Sequence, residues 1–368
     1  MIVEKVILKN FRNYSQLDLS FNPKMNFIIG ENAQGKTNLI ESIYISSIGK
    51  SFRTLKDQEM IMFGEKACFC SVFAKNEIED INIQIKILKG KKKEIKKNGK
   101  ALSRVSEMIN NIFIVIFSPE DLRIVKDDPE KRRNFIDREI CQISPVYAVN
   151  LSYYKKALNQ RNSYLKKETI KNRELEIWDE ELVKYGYEII KRRKDFIKKI
   201  NLYSKKIHSG ITGQMENLEI KYLPDIITSG TEEESKKNYR ETILGIREKD
   251  IKLRTTTKGP HRDDIEFIIN GTNMRNFGSQ GQQRTCALSL KLAEINIIEE
   301  RTGENPILIL DDVMSELDKR RQEFLIRTLK GSQIFITGTE LDKETYKKFP
   351  DSTVMKVSSG EVKIINNK

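Results

Sequence analysis

In the runs EKVILKNF and LDLSF near the start of the chain, apolar residues alternate with polar ones, the period-two mark of half-buried strands. The apolar run in MNFIIG reads as a buried strand, and CFCSVFAK, INIQIKILK and IFIVIF (112–117) supply three more. KTNLIESIYISSI, directly after a glycine-containing loop, reads as a helix. Strands around one helix look like the first half of an α/β layer.

Over residues 119–212 the period changes. Leu151, Tyr154, Leu158 and Leu165, then Trp178, Leu182, Tyr185, Ile189, Phe196, Ile200, Tyr203 and Ile207, recur at helical spacing. The polar stretch 167–173 turns the chain, so two long antiparallel helices packed through this stripe are expected. Strand signals return in LEIKYLP and in DIEFIINGTNMRNF, a hairpin turning on Asn270-Gly271. A helix over 282–300, the strand ILIL (307–310), another helix and the strand QIFIT (333–337) follow. Buried strands alternating with helices argue a parallel sheet. The expected organisation is an α/β head built from 1–118 and 213–368, divided by an inserted α-helical arm at 119–212.

Charge adds a partner to this picture. The chain has 66 Lys and Arg against 53 Asp and Glu, a net +13, so an acidic polymer is the first partner to consider. The excess is uneven, because residues 151–212 alone carry 16 basic against 8 acidic side chains. A single run such as KRRKDFIKK (191–199) is ordinarily a solvated helix face. Three further basic stretches, KGKKKEIKKNGK (89–100), IREKDIKLR (246–254) and KGPHR (258–262), move the balance toward phosphate backbones. No apolar stretch is long enough to span a membrane and the start lacks the order of a secretory signal, so a soluble, cytosolic protein is expected. Cys68, Cys70, Cys141 and Cys286 have neither zinc-ligand nor disulfide-framework spacing and are expected as reduced thiols.

The loop GENAQGKT fits G-x-x-x-x-G-K-[ST] with Gly30, Gly35, Lys36 and Thr37. Such a loop holds phosphate because its backbone N–H groups point inward and the following helix adds its positive end. Lys36 would reach the β and γ phosphates, and the Thr37 hydroxyl would complete a Mg²⁺ shell. PILILDDVMSELD places Asp311 and Asp312 at the end of a buried strand, suiting the metal and the attacking water respectively. Two aspartates after a strand are by themselves a turn or a helix cap; with the glycine loop they make a hydrolytic site. Small kinases and switch GTPases keep these elements in a compact run, whereas here an insertion separates them, and no NKxD guanine-reading motif occurs.

FGSQGQQRT puts Ser279 and Gly281 ahead of a helix, and Ser279 with Gln282 three residues on would form a capping box. The same residues could aim a second helix N-terminus at phosphate. One γ-phosphate does not need two such ends from one protomer, so the second reading implies a second subunit.

GENAQGKT, the S-x-G-Q turn, LILDD followed by SELD (315–318) and the basic arm together resemble the ABC-type ATPase heads of chromosome-maintenance proteins. LKNFRNY, GENAQGKTNLIESIY, GKSFRT, FSPEDLRIVK, RRNFIDREI, GPHRDDIEF, GSQGQQRT and LILDDVMSELD are more specifically similar to the RecF family of recombination mediators, from Leu8 to beyond Asp318. The resemblance implies a P-loop NTPase head of the ABC type that dimerises on ATP, binds DNA at duplex, gap or fork structures, hydrolyses slowly and so releases. It implies ATP and Mg²⁺ as cofactors, and work with RecR and RecO that helps load RecA in replication, repair and the SOS response.

Carried over residue by residue, Gly30, Glu31, Asn32, Ala33, Gln34, Gly35, Lys36 and Thr37 would bind ATP, with Lys36 catalytic. Thr37 and Asp311 would hold Mg²⁺ and Asp312 would orient water, while Ser279, Gly281 and Gln282 would cap the nucleotide of the opposite subunit. Arg12 would touch phosphate, although a lone arginine after a strand is ordinarily a surface residue. In two places the chain departs from the wider ABC pattern. Gln280 stands where transporters favour glycine, and QIFITGT ends in Thr337, Gly338 and Thr339 where a switch histidine is common. Thr337 or Thr339 is then the expected γ-phosphate sensor, with His208 on the face of the arm and His261 near a turn. FSPEDL occupies the place of a glutamine loop. The alternative, the head of a chromosome-organising complex, calls for coiled coils far longer than this arm, and a soluble transporter ATPase would have no need of the basic arm.

Overall fold

The alternation at the start becomes a hairpin: Ile2–Phe11 (β1) pairs antiparallel with Tyr14–Ser20 (β2), each strand burying alternate side chains. The computed structural model describes residues 1–54, 56–329, 331–341, 346–347, 349 and 351–365. Met25–Ile29 (β3) leads into the glycine loop and Lys36–Ile48 (α1). Ala67–Lys75 (β4), Asp80–Leu88 (β5), Glu94–Lys97 (β6), Lys100–Ala101 (β7) and Ile114–Phe117 (β8) follow. Helices Pro129–Ile143 (α2), Pro145–Tyr164 (α3) and Asn172–Thr212 (α4) come next, then Leu218–Leu223 (β9), Glu232–Gly245 (α5) and Arg247–Leu253 (α6). After these the chain forms Asp264–Ile269 (β10), Thr272–Asn273 (β11), Met274–Phe277 (α7) and Gln280–Thr302 (α8). Ile307–Asp311 (β12), Lys319–Thr328 (α9), Ile334–Gly338 (β13), Thr353–Ser358 (β14) and Glu361–Ile365 (β15) complete it.

Two compact units result, Met1–Leu122 with Lys291–Lys368, and Arg123–Leu290. The first holds an antiparallel sheet, β2-β1-β4-β5-β6-β7, and a second sheet ordered β15-β14-β3-β13-β12-β8, parallel except for β15. Helix α1 packs against strands of both sheets and is therefore buried on nearly every side. Its Ser42, Ser46 and Ser47 hydroxyls donate to carbonyls three residues back, so three polar groups enter the core satisfied.

The second unit corrects the expected boundaries. Residues 213–290, assigned to the head from sequence, belong with the arm. β9 packs on α4 and pairs antiparallel with β10, which stitches the small sheet β11-β10-β9 to the long helix. The arm also has more than two helices, since α2 precedes the antiparallel pair α3–α4, and α5 packs on α4. The hairpin at Asn270-Gly271 stops short: Asn273 caps α7 by accepting from the amides of Arg275 and Asn276, which ends β11 after two residues.

The basic arm is not uniformly solvated. Arg161 lies between Asp179 and Asp250, both 2.7 Å away, and Arg193 reaches Asp137 at 2.8 Å and Asp263 at 2.7 Å. Both arginines are fully buried, so these members of the basic runs hold the unit together and are closed to outside anions.

Candidate active site

Neighbouring turns fix the glycine loop in the first unit. The Asn13 Nδ2 donates to Gln34 O at 2.8 Å and the Tyr14 hydroxyl to Gly35 O at 3.0 Å. From the β14–β15 turn, the Ser359 amide donates to Gln34 Oε1 at 2.6 Å and the Gly360 amide to Gln34 O at 3.1 Å. Gly30 has φ +154°, and a Cβ there would sit 2.3 Å from the Val357 carbonyl oxygen. Gly30→Ala is therefore expected to cost about 1–3 kcal/mol in urea unfolding and to weaken nucleotide binding, because the backbone has to shift. An unchanged midpoint with wild-type binding would contradict the close approach.

Lys36 opens α1, and its ammonium donates to the carbonyls of Gly30 at 2.7 Å and Glu31 at 3.0 Å. The charge is nearly buried, held by two neutral acceptors that phosphate oxygens can replace.

Strand order places the acidic partner. β13 lies between β3 and β12, and the register sets Asp311 beside Thr337 at the carboxyl ends of these parallel strands, where α/β sheets bind ligands. The Thr337 hydroxyl donates to Asp311 Oδ1 at 2.7 Å and accepts from the Asp312 amide at 2.9 Å. The Thr37 hydroxyl donates to the same Asp311 oxygen at 3.3 Å. Burial pushes the Asp311 carboxyl up to about 6, and the Asp312 charge adds to this against the two threonine hydrogen bonds.

A buried carboxylate with a threonine oxygen beside it and no cation paired to it among the described residues is suited to a divalent ion. No cluster of three or more His, Cys, Asp or Glu able to cage a metal occurs among the described residues. The pair Thr37–Asp311 thus fits Mg²⁺, which takes few protein oxygens and completes its shell with phosphate and water. Thr337 places its single proton on Asp311. Thr339, the other candidate sensor, directly follows β13. In FSPEDL, Ser118 donates through N and Oγ to Asp121 Oδ2 at 2.9 and 2.8 Å, a turn closed on itself.

Arg12 is not a lone surface residue. Its guanidinium grips the buried Glu41 carboxylate at 2.8 and 2.9 Å and donates to Glu59 O at 2.7 Å. Ser51 also donates to Glu41, and Arg53 donates to Asn38 Oδ1 at 2.8 Å. Sequence reasoning misses Asn13, Glu41, Ser51 and Arg53 as site residues, although LKNFRNY, GENAQGKTNLIESIY and GKSFRT contain them. The signal that could have found Glu41 is a carboxylate among the apolar residues of α1.

In the second unit the capping box forms: the Ser279 amide donates to Gln282 Oε1 at 3.1 Å, and the Gln282 amide to Ser279 Oγ at 3.2 Å. Ser279 is exposed, and since its Oγ accepts within the cap, its proton is still available for an acceptor outside. Gly281 lies in the first turn of α8, and its carbonyl accepts from Thr285 Oγ1 at 2.8 Å. Gln282 Nε2 reaches Glu216 at 2.9 Å, and Glu216 meets His208 Nε2 at 2.9 Å. His208 is fully buried, not on a solvated face of the arm, because Ser289 and Glu216 give both ring nitrogens partners.

The RecF/RecN/SMC N terminal domain family matches residues 2–366. A DNA replication and repair protein RecF of Alkaliphilus oremlandii is 46% identical over 98% of this chain and 100% of its own, and one of Lachnospira eligens is 45% identical over 98% and 99%. The chain belongs to the RecF family. Its work is that of a RecF recombination mediator in DNA replication and repair, on the ATPase head fold of RecF and SMC proteins. A solved structure of the recombination mediator protein RecF with ATP, in the RecFOR pathway, superposes on it with a TM-score of 0.90 at 37% identity, covering 99% of this chain and 98% of that one. An Smc head bound to the C-winged helix domain of ScpA, at 16% identity and TM-score 0.55 over 99% of this chain and 97% of its own, shares the fold.

Proposed function

We propose that the protein is an ATP-gated DNA clamp: ATP and Mg²⁺ draw two copies together on DNA, and slow, DNA-stimulated hydrolysis releases them. The observation that carries this is the convergence of Lys36, Thr37 and Asp311 at the ends of β3 and β12. When bound, Mg²⁺ would supply positive charge to offset the negative charge that develops on phosphate oxygens. The glycine loop and Lys36 hold phosphate, Thr37 and Asp311 hold the metal, and Asp312 orients water. Arg12 and Arg53 lie on the segments that flank this loop, suiting phosphate contact once Glu41 shares them.

Ser279, Gly281 and Gln282 cap the nucleotide of the opposite copy. The partners we assign are DNA at gaps and forks, RecR and RecO, and RecA downstream, in the cytoplasm. No helix among the described residues is long and apolar enough to cross a membrane, and the basic arm has no use at a transporter's docking face.

Light scattering of wild type and Lys36→Arg with and without ATP, beside duplex binding across salt, tests the reading. ATP should produce a dimer only in the wild type, and duplex affinity should fall steeply with salt. A protein that stays monomeric with ATP, or binds duplex independently of salt, overturns the clamp. Ser279→Arg should keep ATP binding yet lose dimerisation; loss of nucleotide binding instead would mean that Ser279 acts within its own protomer.

A further inference from the structure

The turn of the basic stretch KGPHR (258–262) is anchored within the second unit, with Pro260 buried. Gly259 has φ +136°, and a Cβ there would lie 2.4 Å from the Tyr154 hydroxyl. The Gly259 amide donates to Asp225 Oδ2 at 2.9 Å, and Pro260 O accepts from Arg193 Nη1 at 2.6 Å. His261 Nε2 faces the Thr256 carbonyl at 3.1 Å, which can only accept, so that nitrogen carries the hydrogen and Nδ1 accepts from Tyr154 at 2.7 Å. Burial pushes His261 down to about 4, with the Arg262 and Arg133 charges acting in the same direction against hydrogen bonding to Thr256 and the Asp225 charge. The ring is therefore neutral, and the turn is rigid.

The surrounding carboxylates are already committed. Asp225 pairs with Lys258 at 2.9 Å, Asp264 takes Arg132 through two oxygens, and Asp137 and Asp263 both belong to Arg193. Two cations are left over. Arg262 is exposed and pairs with no carboxylate among the described residues. Among the described residues, half-buried Arg133 donates only to the Asp263 carbonyl, at 2.7 Å. Its pKa is lowered by burial first and by the Arg193 charge second, and nearby carboxylates only partly offset this. Exposed Glu130, three residues before it on α2, makes no ion pair with it among the described residues.

We infer that the Gly259–Arg262 turn, with Arg133, is a binding site for a backbone phosphate of DNA. The fork of a guanidinium fits phosphate oxygens in pairs, and a rigid turn loses little freedom on engaging them. An anion here also supplies the counter-charge that the cluster lacks. The inference rests on the DNA-binding reading above and is independent of dimerisation.

The test is duplex binding to the full chain across salt concentrations, without nucleotide. Arg262→Ala should weaken affinity by roughly tenfold and reduce the slope of log affinity against log salt by about one. Arg262→Lys should keep the slope and recover part of the affinity, and Arg262→Glu should bind more weakly than Arg262→Ala. Melting temperature and ATP binding should stay at wild-type values in all three, which separates a DNA phosphate from a nucleotide phosphate. Wild-type slope and affinity in Arg262→Ala and Arg262→Glu overturn this site alone. A wild type that does not bind duplex overturns both this site and the DNA reading beneath it. Loss of ATP binding in Arg262→Ala would place the phosphate on the nucleotide and overturn the inference.

Discussion

Asparagine in place of Asp311 is expected to abolish ATP turnover while making the nucleotide-free protein more stable. The carboxyl is buried, and its pKa of about 6 lies above the ordinary 3.8. A group raised on folding contributes stability that is fully present below its unfolded pKa and lost as pH rises through its folded pKa. At pH 8 wild type therefore carries an ionised carboxylate that disfavours folding by roughly 2–3 kcal/mol. The amide introduced by Asp311→Asn keeps an oxygen to accept from Thr337 and Thr37 and carries no charge.

The stability advantage of the variant should accordingly be largest above about pH 6 and vanish toward pH 4, where wild type is protonated too. Urea unfolding of both proteins across that range checks it. A difference that does not change with pH would show that burial of the Asp311 charge is not its source. Turnover should fall by more than the roughly 10–100-fold that even an outer partner of a metal ligand commands, because the ligand itself is lost. The same burial that raises the pKa of the Asp311 carboxyl makes the site receptive to a cation.

Much of this site is legible because its parts are local in sequence. A glycine loop between strand and helix, or two aspartates closing an apolar strand, declares its chemistry within a dozen residues or so. For Thr337 the sequence indicates the place without the role, because only the β12–β13 register shows that its hydroxyl is occupied by Asp311 and the Asp312 amide. Glu41 is hidden for the opposite reason, since a single acid in a helical pattern gives no sign that Arg12, Ser51 and Arg53 converge on it.

The extent of the second unit is equally hidden. Periodicity finds α3 and α4, yet which later strands join them depends on β9 pairing with β10 and packing on α4, contacts no window of sequence contains. Charge counting has the same limit. Arg193 and Arg262 contribute equally to the net charge, yet the structure buries the first between two aspartates and leaves the second exposed.

Arg193→Ala is expected to be among the most damaging single substitutions in the chain, at about 3–5 kcal/mol. The guanidinium is buried. It donates to Asp137, Asp263, Tyr147 and Pro260 O, and so joins α4 to α2, α3 and the turn before β10. Burial opposes its charge, but Asp137 first, then Tyr147, Tyr222 and Asp263, outweigh that and hold its pKa above the ordinary range. Truncation leaves Asp137 and Asp263 buried without their counter-ion, a larger penalty than the net worth of the pairs themselves. Arg193→Lys should restore little, because one ammonium cannot span the positions that the fork fills.

Urea unfolding followed by near-ultraviolet circular dichroism gives the comparison. The midpoint of Arg193→Ala should fall sharply, whereas Arg262→Ala should stay within about 0.5 kcal/mol of wild type. Equal midpoints for the two variants would mean that the Arg193 network does not hold the second unit together. If they separate as expected, weaker DNA binding by Arg262→Ala can be assigned to a lost phosphate contact, since its scaffold is intact.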